Sequence, residues 1–197
     1  MSARNSSRRY GTVAMTLHWL IALMLIANIC IGLYMGDLPR DDPNKFALFQ
    51  YHKSIGLTVL LLSLIRLGWR LVNPVPPLPR GMSPLMRALA HISHFVLYFV
   101  IIAIPLSGWL MVSSSSIGLG TPWFGLFNVP DAPFLSTLPR ALKHPYHEAF
   151  ETVHVYLAWA TIALVPIHIL GALYHQFLRR DDVLKRMLPG TDVSHPA

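Results

Sequence analysis

The chain has 197 residues, 53% of them hydrophobic and only 13% charged, with a formal net charge of +7. A soluble domain carries about a quarter charged residues, so the deficit excludes an ordinary water-soluble globule. The basic excess does not call for nucleic acid, because its placement along the chain gives it another reading.

The first predicted element is a transmembrane helix over residues 13–35, and Met15–Met35 contains no Asp, Glu, Lys or Arg. Its apolar run exceeds the roughly 7–15 residues of a signal-peptide core, and no small-x-small cleavage site follows Tyr34, so it reads as a retained signal anchor. The one cysteine, Cys30, lies in this span and reads as a small packing residue. Alone, it excludes an internal disulfide and covalent C-x-x-C-H haem attachment. Gly36–Tyr51 is a short loop, followed by a second span over 53–72 that carries Arg66 and Arg70 near its end. Arginines there can snorkel to the interface without breaking the span. Asn73–Pro84 is a proline-rich, extended connector. The third span, 88–112, contains Pro105, and the fourth, 152–178, contains Pro166. Between them Ser113–Glu151 is rich in Pro and Gly, with Trp123 and Phe124 expected to anchor it at the membrane interface. Each span reaches the ~20 residues that cross a bilayer as a helix. The expected fold is all-α: one integral-membrane domain, an up-and-down four-helix bundle.

The charges separate along this topology. Arg4, Arg8, Arg9, Arg66, Arg70, Arg80, Arg87, Arg179, Arg180, Lys185 and Arg186 fall on the side of both termini. Arg40, Lys45, Lys53, Arg140 and Lys143 fall on the other, diluted by Asp37, Asp41, Asp42, Asp131, Glu148 and Glu151. By the positive-inside rule both termini are expected in the cytoplasm.

The chemistry lies in the histidines. His18, His52, His91, His94, His154, His168 and His175 fall within or at the ends of spans, where a polar residue is costly and points to a site. His154 and His168 are fourteen residues apart, about 40° short of four helical turns, so they share a face with a rise of roughly 21 Å. That places one ligand in each half of the bilayer, as two flat cofactors would require. Each haem iron needs a second axial ligand at matching depth on a facing helix. Span direction matches His18 with His168 for an inner haem and His52 with His154 for an outer one. His91 and His94 compete with His18, or else line a quinone side together with His175. Arg66, fourteen residues after His52, either pairs with a haem propionate or snorkels. His144, His147 and His195 read as solvated loop residues.

These segments resemble the bacterial cytochrome b561 family, over nearly the whole chain. The ordered set is T-L-H-W-L around His18, H-K-S-I-G and R-L-G-W-R from His52 to Arg70, and A-H-I-S-H around His91 and His94. T-P-W-F-G around Trp123, H-V-Y-L-A, I-H-I-L-G-A-L-Y-H and L-K-R-M-L-P complete it. The resemblance implies two non-covalent b haems on the same four histidines, and electron transfer between an outer-face donor and membrane quinone. In its narrower form it implies superoxide oxidation with ubiquinone as acceptor, for which Lys53, Arg140 and Lys143 would steer the anion. One feature departs from the family: His154 is followed by Val155, and the usual His-Glu pair is here His147-Glu148. His147 lies about 31 Å along a helix from His168, outside the hydrocarbon, so His154 is kept as the ligand.

Two other classes are weighed against this. A membrane-anchoring haem subunit of a larger dehydrogenase or hydrogenase would co-purify with iron–sulfur or nickel subunits. A haem-free transporter or metal channel would carry acidic residues in its spans, and these carry none.

Overall fold

The computed structural model describes residues 2–79, 81–118 and 120–191; Arg80 and His195 lie outside the described residues. Four long helices dominate: α1 (Thr12–Asp37), α2 (Lys45–Val72), α3 (Pro84–Ser113) and α5 (Arg140–Tyr174). A hairpin of β1 (Pro122–Trp123) and β2 (Phe127–Asn128) and the short α4 (Pro133–Ser136) fill the long third connection. The protein is thus an all-α membrane bundle, with four helices long and apolar enough to span.

Local chemistry sets the helix ends. Pro84 opens α3 at a position where its missing N–H costs nothing, and the Ser83 hydroxyl accepts from the Met86 N–H at 3.3 Å. Asp42 precedes α2 and accepts from the Asn44 N–H at 2.8 Å. After Tyr174 the helix widens into a π turn, His175–Arg179, and stops at Arg180, which is left-handed with φ 53°.

Three helices begin well before the apolar runs suggest, α2 at Lys45 rather than 53, α3 at Pro84 rather than 88 and α5 at Arg140 rather than 152. A charge-free run marks the hydrocarbon crossing, whereas a helix continues into the interface on amphipathic turns such as Phe46–Tyr51 and Leu142–Phe150. His52 and His154 therefore sit well inside helices instead of opening them. Side chains such as Leu23, Phe95 and Tyr156 are largely exposed, and only 6% of the most apolar stretch of the last helix is buried. Apolar surface on this scale suits lipid, not water.

The chain divides into two compact units. One comprises Met1–Ile21, Leu62–Phe99 and Thr161–Ala197, and the other Ala22–Leu61 and Val100–Ala160. Each takes one segment from every long helix. In the first unit α2 meets α1 where the Arg66 Nη1 donates to the Ala14 carbonyl at 2.5 Å. It meets α3 where the guanidinium of Arg70 lies over the Tyr98 ring at 5.4 Å. This unit also holds both terminal segments: Asn5 Nδ2 donates to Pro74 O in the connector after α2, while Arg9 donates to Leu188 O and the Trp19 indole to Met187 O.

In the second unit the segment 120–132 packs on α2 and α3. Lys53 Nζ donates to Gly120 O at 2.6 Å, and the Ser54 hydroxyl donates to Pro122 O while accepting from the Phe124 N–H. The Trp123 indole donates to the Thr58 hydroxyl at 3.0 Å, and that of Trp109 to Pro130 O. Trp123 thus acts as a staple between loop and helix. The tight turn at Phe124 and Gly125 has φ of 48° and 76°, the left-handed region that glycine relieves. Among the described residues the first unit holds ten Lys or Arg side chains against Asp181 and Asp182, and the second holds five against six carboxylates.

Candidate functional site

In the second unit His52 on α2 faces His154 on α5, with ring centres 6.1 Å apart. Each ring is seated in the same way. The His52 Nδ1 is 3.2 Å from the Asn28 carbonyl, and Gly32, one turn on, lies so close that a Cβ there would sit 3.1 Å from His52 Cε1. The His154 Nδ1 is 2.9 Å from the Ile104 carbonyl, and a Cβ on Gly108, again one turn on, would sit 3.1 Å from His154 Cε1. A carbonyl only accepts, so each Nδ1 carries the hydrogen and leaves Nε2 with its lone pair. The Ser107 hydroxyl, which donates to Ile104 O at 2.8 Å, lies 3.1 Å from the His154 Nδ1 and reinforces that seat. This is the outer hydrogen bonding that fixes the tautomer of a metal-ligating histidine.

In the first unit three imidazoles converge. His18 on α1 is 6.2 Å from His168 on α5, centre to centre, and His94 on α3 is 5.7 Å from the same ring. Arg66 and Tyr98 lie beside them, with the Arg66 guanidinium 6.0 Å from the Tyr98 ring centre. The Arg66 charge is held by the Ala14 carbonyl, one turn before His18.

These spacings can be tested against the cofactor the sequence suggests. With metal–imidazole bonds of about 2 Å, two axial imidazoles on one iron have centres roughly 6–6.5 Å apart. The His52–His154 and His18–His168 separations fit, and His94 is the shorter contact. Among the described residues no group of three or more His, Cys, Asp or Glu side chains is arranged to hold a metal ion. Paired histidines are what an iron already held by four porphyrin nitrogens requires.

Beside this cluster the first unit has an open cavity of about 590 Å³, lined by Tyr10, Arg70, Val75, Pro76, Pro77, Leu78, Arg87, His91 and His94. His91 and His94, one turn apart, thus face a common space, and His94 belongs both to it and to the histidine triad. His175 is placed elsewhere, its Nδ1 2.6 Å from Asp181 Oδ2 at the end of α5. The three cations expected to steer an anion do not form an exposed set. Lys53 is buried at 8% exposure, its ammonium on Gly120 O and 5.0 Å above the Phe49 ring, whereas Arg140 is open. His147 is not a solvated loop residue either: it lies within α5, its Nδ1 2.9 Å from the Met111 carbonyl, while His144 is the exposed partner of Glu148.

The residues that sequence reasoning missed are the seats, Gly32 with Asn28 and Gly108 with Ser107. A glycine inside an apolar helix, where it costs about 1 kcal/mol against alanine, was the available signal.

Comparison with known proteins identifies the family. The family model for prokaryotic cytochrome b561 matches residues 9–190. Cytochrome b561 homolog 2 of Escherichia coli is 36% identical, over 95% of both chains. A Yersinia pestis protein named probable superoxide oxidase CybB is 27% identical over 92% of this chain and 97% of its own length. Cytochrome b562 of Cereibacter sphaeroides is 28% identical over 91% and 94%. The chain therefore belongs to the prokaryotic cytochrome b561 family, as a bacterial membrane protein that binds haem b and serves electron transfer.

Proposed function

We propose that the chain is a di-haem oxidoreductase that takes electrons from a small donor at its outer face and delivers them to membrane quinone. The observation that carries this reading is the repeated histidine pair at iron-spanning distance, once in each unit. His52 and His154 would hold one haem b, and His18 and His168 the other. Bound there, haem b supplies one-electron redox chemistry; the chain supplies ligation, burial and charge. The carbonyl seats fix the Nδ1 atoms of His52 and His154, which leaves each Nε2 free to bind iron. Arg66 places a fixed cation beside the first-unit histidines, where a propionate carboxylate would pair with it.

The excess of cations in the first unit supports a cytoplasmic position for both termini, in the inner membrane. A tag on the C-terminus is then reached from the cytoplasmic face only. The cavity lined by His91, His94 and Tyr10 would receive the quinone ring, with imidazole and phenol groups able to donate to its carbonyl oxygens. The donor reading rests on the relative named as a probable superoxide oxidase. Superoxide losing one electron becomes dioxygen, and two such electrons with two protons convert ubiquinone to the quinol.

The test uses detergent-purified protein reduced to the ferrous state without oxygen and mixed with a short-chain ubiquinone. Saturable reoxidation is expected, and enzymatically generated superoxide should reduce the ferric protein. A haem-replete protein indifferent to quinone would remove the acceptor, and one indifferent to superoxide would remove the donor alone.

A further inference from the structure

The C-terminal segment has no part in ligating haem, yet one of its side chains is buried against the cavity wall. Arg186, in the 3-10 turn Lys185–Met187, is 4% exposed. Its Nη1 donates to the Pro77 carbonyl at 2.5 Å, and its own carbonyl accepts from the Tyr10 N–H at 3.3 Å. Pro77 and Tyr10 both line the cavity, and they come from segments 67 residues apart in sequence.

The wall so formed is otherwise short of internal support. Val75–Leu78 lies in an extended connector without regular hydrogen bonding, because its prolines have no N–H to give. Its other polar tether in this stretch is Asn5, whose Nδ2 donates to Pro74 O and whose Oδ1 accepts from the Gly11 N–H. Gly11 cannot carry a side chain, since a Cβ would fall 2.3 Å from the Ala3 carbonyl oxygen. The N-terminal loop is therefore tightly closed, and Arg186 ties both it and the connector to the 3-10 turn Lys185–Met187. A guanidinium suits this task, as a planar fork with several donors and a charge that does not titrate.

We infer that Arg186 is a positioning residue of the quinone cavity: by clamping Tyr10 and Pro77 it sets the width of the slot into which the acceptor ring fits. This rests on the assignment of that cavity to quinone. An unclamped wall admits more conformers, and the fraction able to bind falls, so affinity weakens while the rate from the bound state is kept.

The experiment compares the wild type with Arg186→Ala, Arg186→Lys and Arg179→Ala in reoxidation of the reduced holoprotein by short-chain ubiquinone. Arg179 also donates to a connector carbonyl, that of Gly81, which does not line the cavity. Arg186→Ala should raise the half-saturating quinone concentration roughly tenfold, as loss of a charged hydrogen bond does, with the limiting rate and haem content unchanged. Arg186→Lys should recover part of that loss, and Arg179→Ala should match the wild type. Unchanged half-saturation in Arg186→Ala overturns the inference, as does an equal rise in Arg179→Ala. If Arg186→Ala loses haem, Arg186→Lys decides: wild-type half-saturation, or a fall in limiting rate alone, counts against the clamp. A wild type that quinone does not reoxidise at all refutes the cavity assignment itself, before any variant is made.

Discussion

Gly32 and Gly108 decide how closely an imidazole can lie on the neighbouring helix. Without a Cβ, each lets a histidine ring reach the carbonyl one turn earlier, at Asn28 and Ile104. Adding a methyl group 3.1 Å from Cε1 would push the His154 ring off its seat, a kind of overpacking that costs about 1–3 kcal/mol. Gly108→Ala is therefore expected to lower the haem bound per chain or to alter the low-spin spectrum, whereas Gly36→Ala, with open space around it, should leave both unchanged. At this scale the sequence was only half legible. The facing of His52 with His154 and of His18 with His168 followed from helical rise, but seats made of backbone carbonyls and missing side chains have no residue-type signature. Lys53 was misread for a related reason. A cation next to a candidate ligand looks like a steering charge until the fold of residues 120–124 buries it.

Among the elements, α2 combines a proposed ligand with loop docking. His52 points to its partner while Lys53, Ser54 and Thr58 bind the hairpin that follows α3. Three of the four helices could be read from charge-free runs, and the second despite Arg66 and Arg70, because lipid tolerates few alternatives to an apolar helix. Their interfacial extensions could not, because those turns obey ordinary amphipathic rules and look like loop. The T-P-W-F-G segment shows the same limit: Trp123 resembles an interfacial aromatic, yet its indole N–H is held by Thr58. Thr58→Val removes that acceptor at nearly constant volume and should destabilise the loop by about 1–2 kcal/mol. Limited proteolysis within 114–132 should speed up while haem content stays the same; unchanged protease resistance would mean that the staple contributes nothing.

For the molecule as a whole, the charge partition and the histidine pairs divide along the same lines. The unit with both termini and most of the arginines holds His18, His94 and His168; the unit with the acidic loops holds His52 and His154. One chain thus offers two similar ligand frames in different electrostatic settings, and an excess of cations raises the affinity of a site for electrons. The most direct test of this account is haem per chain in the purified protein, with the low-spin spectrum of the oxidised and reduced states. The expected values are two b haems in the wild type and in His94→Ala, and one in each of His154→Ala, His168→Ala and His18→Ala. One haem in the wild type, or a His154→Ala protein that keeps two, would contradict the pairing on which the function proposed here depends.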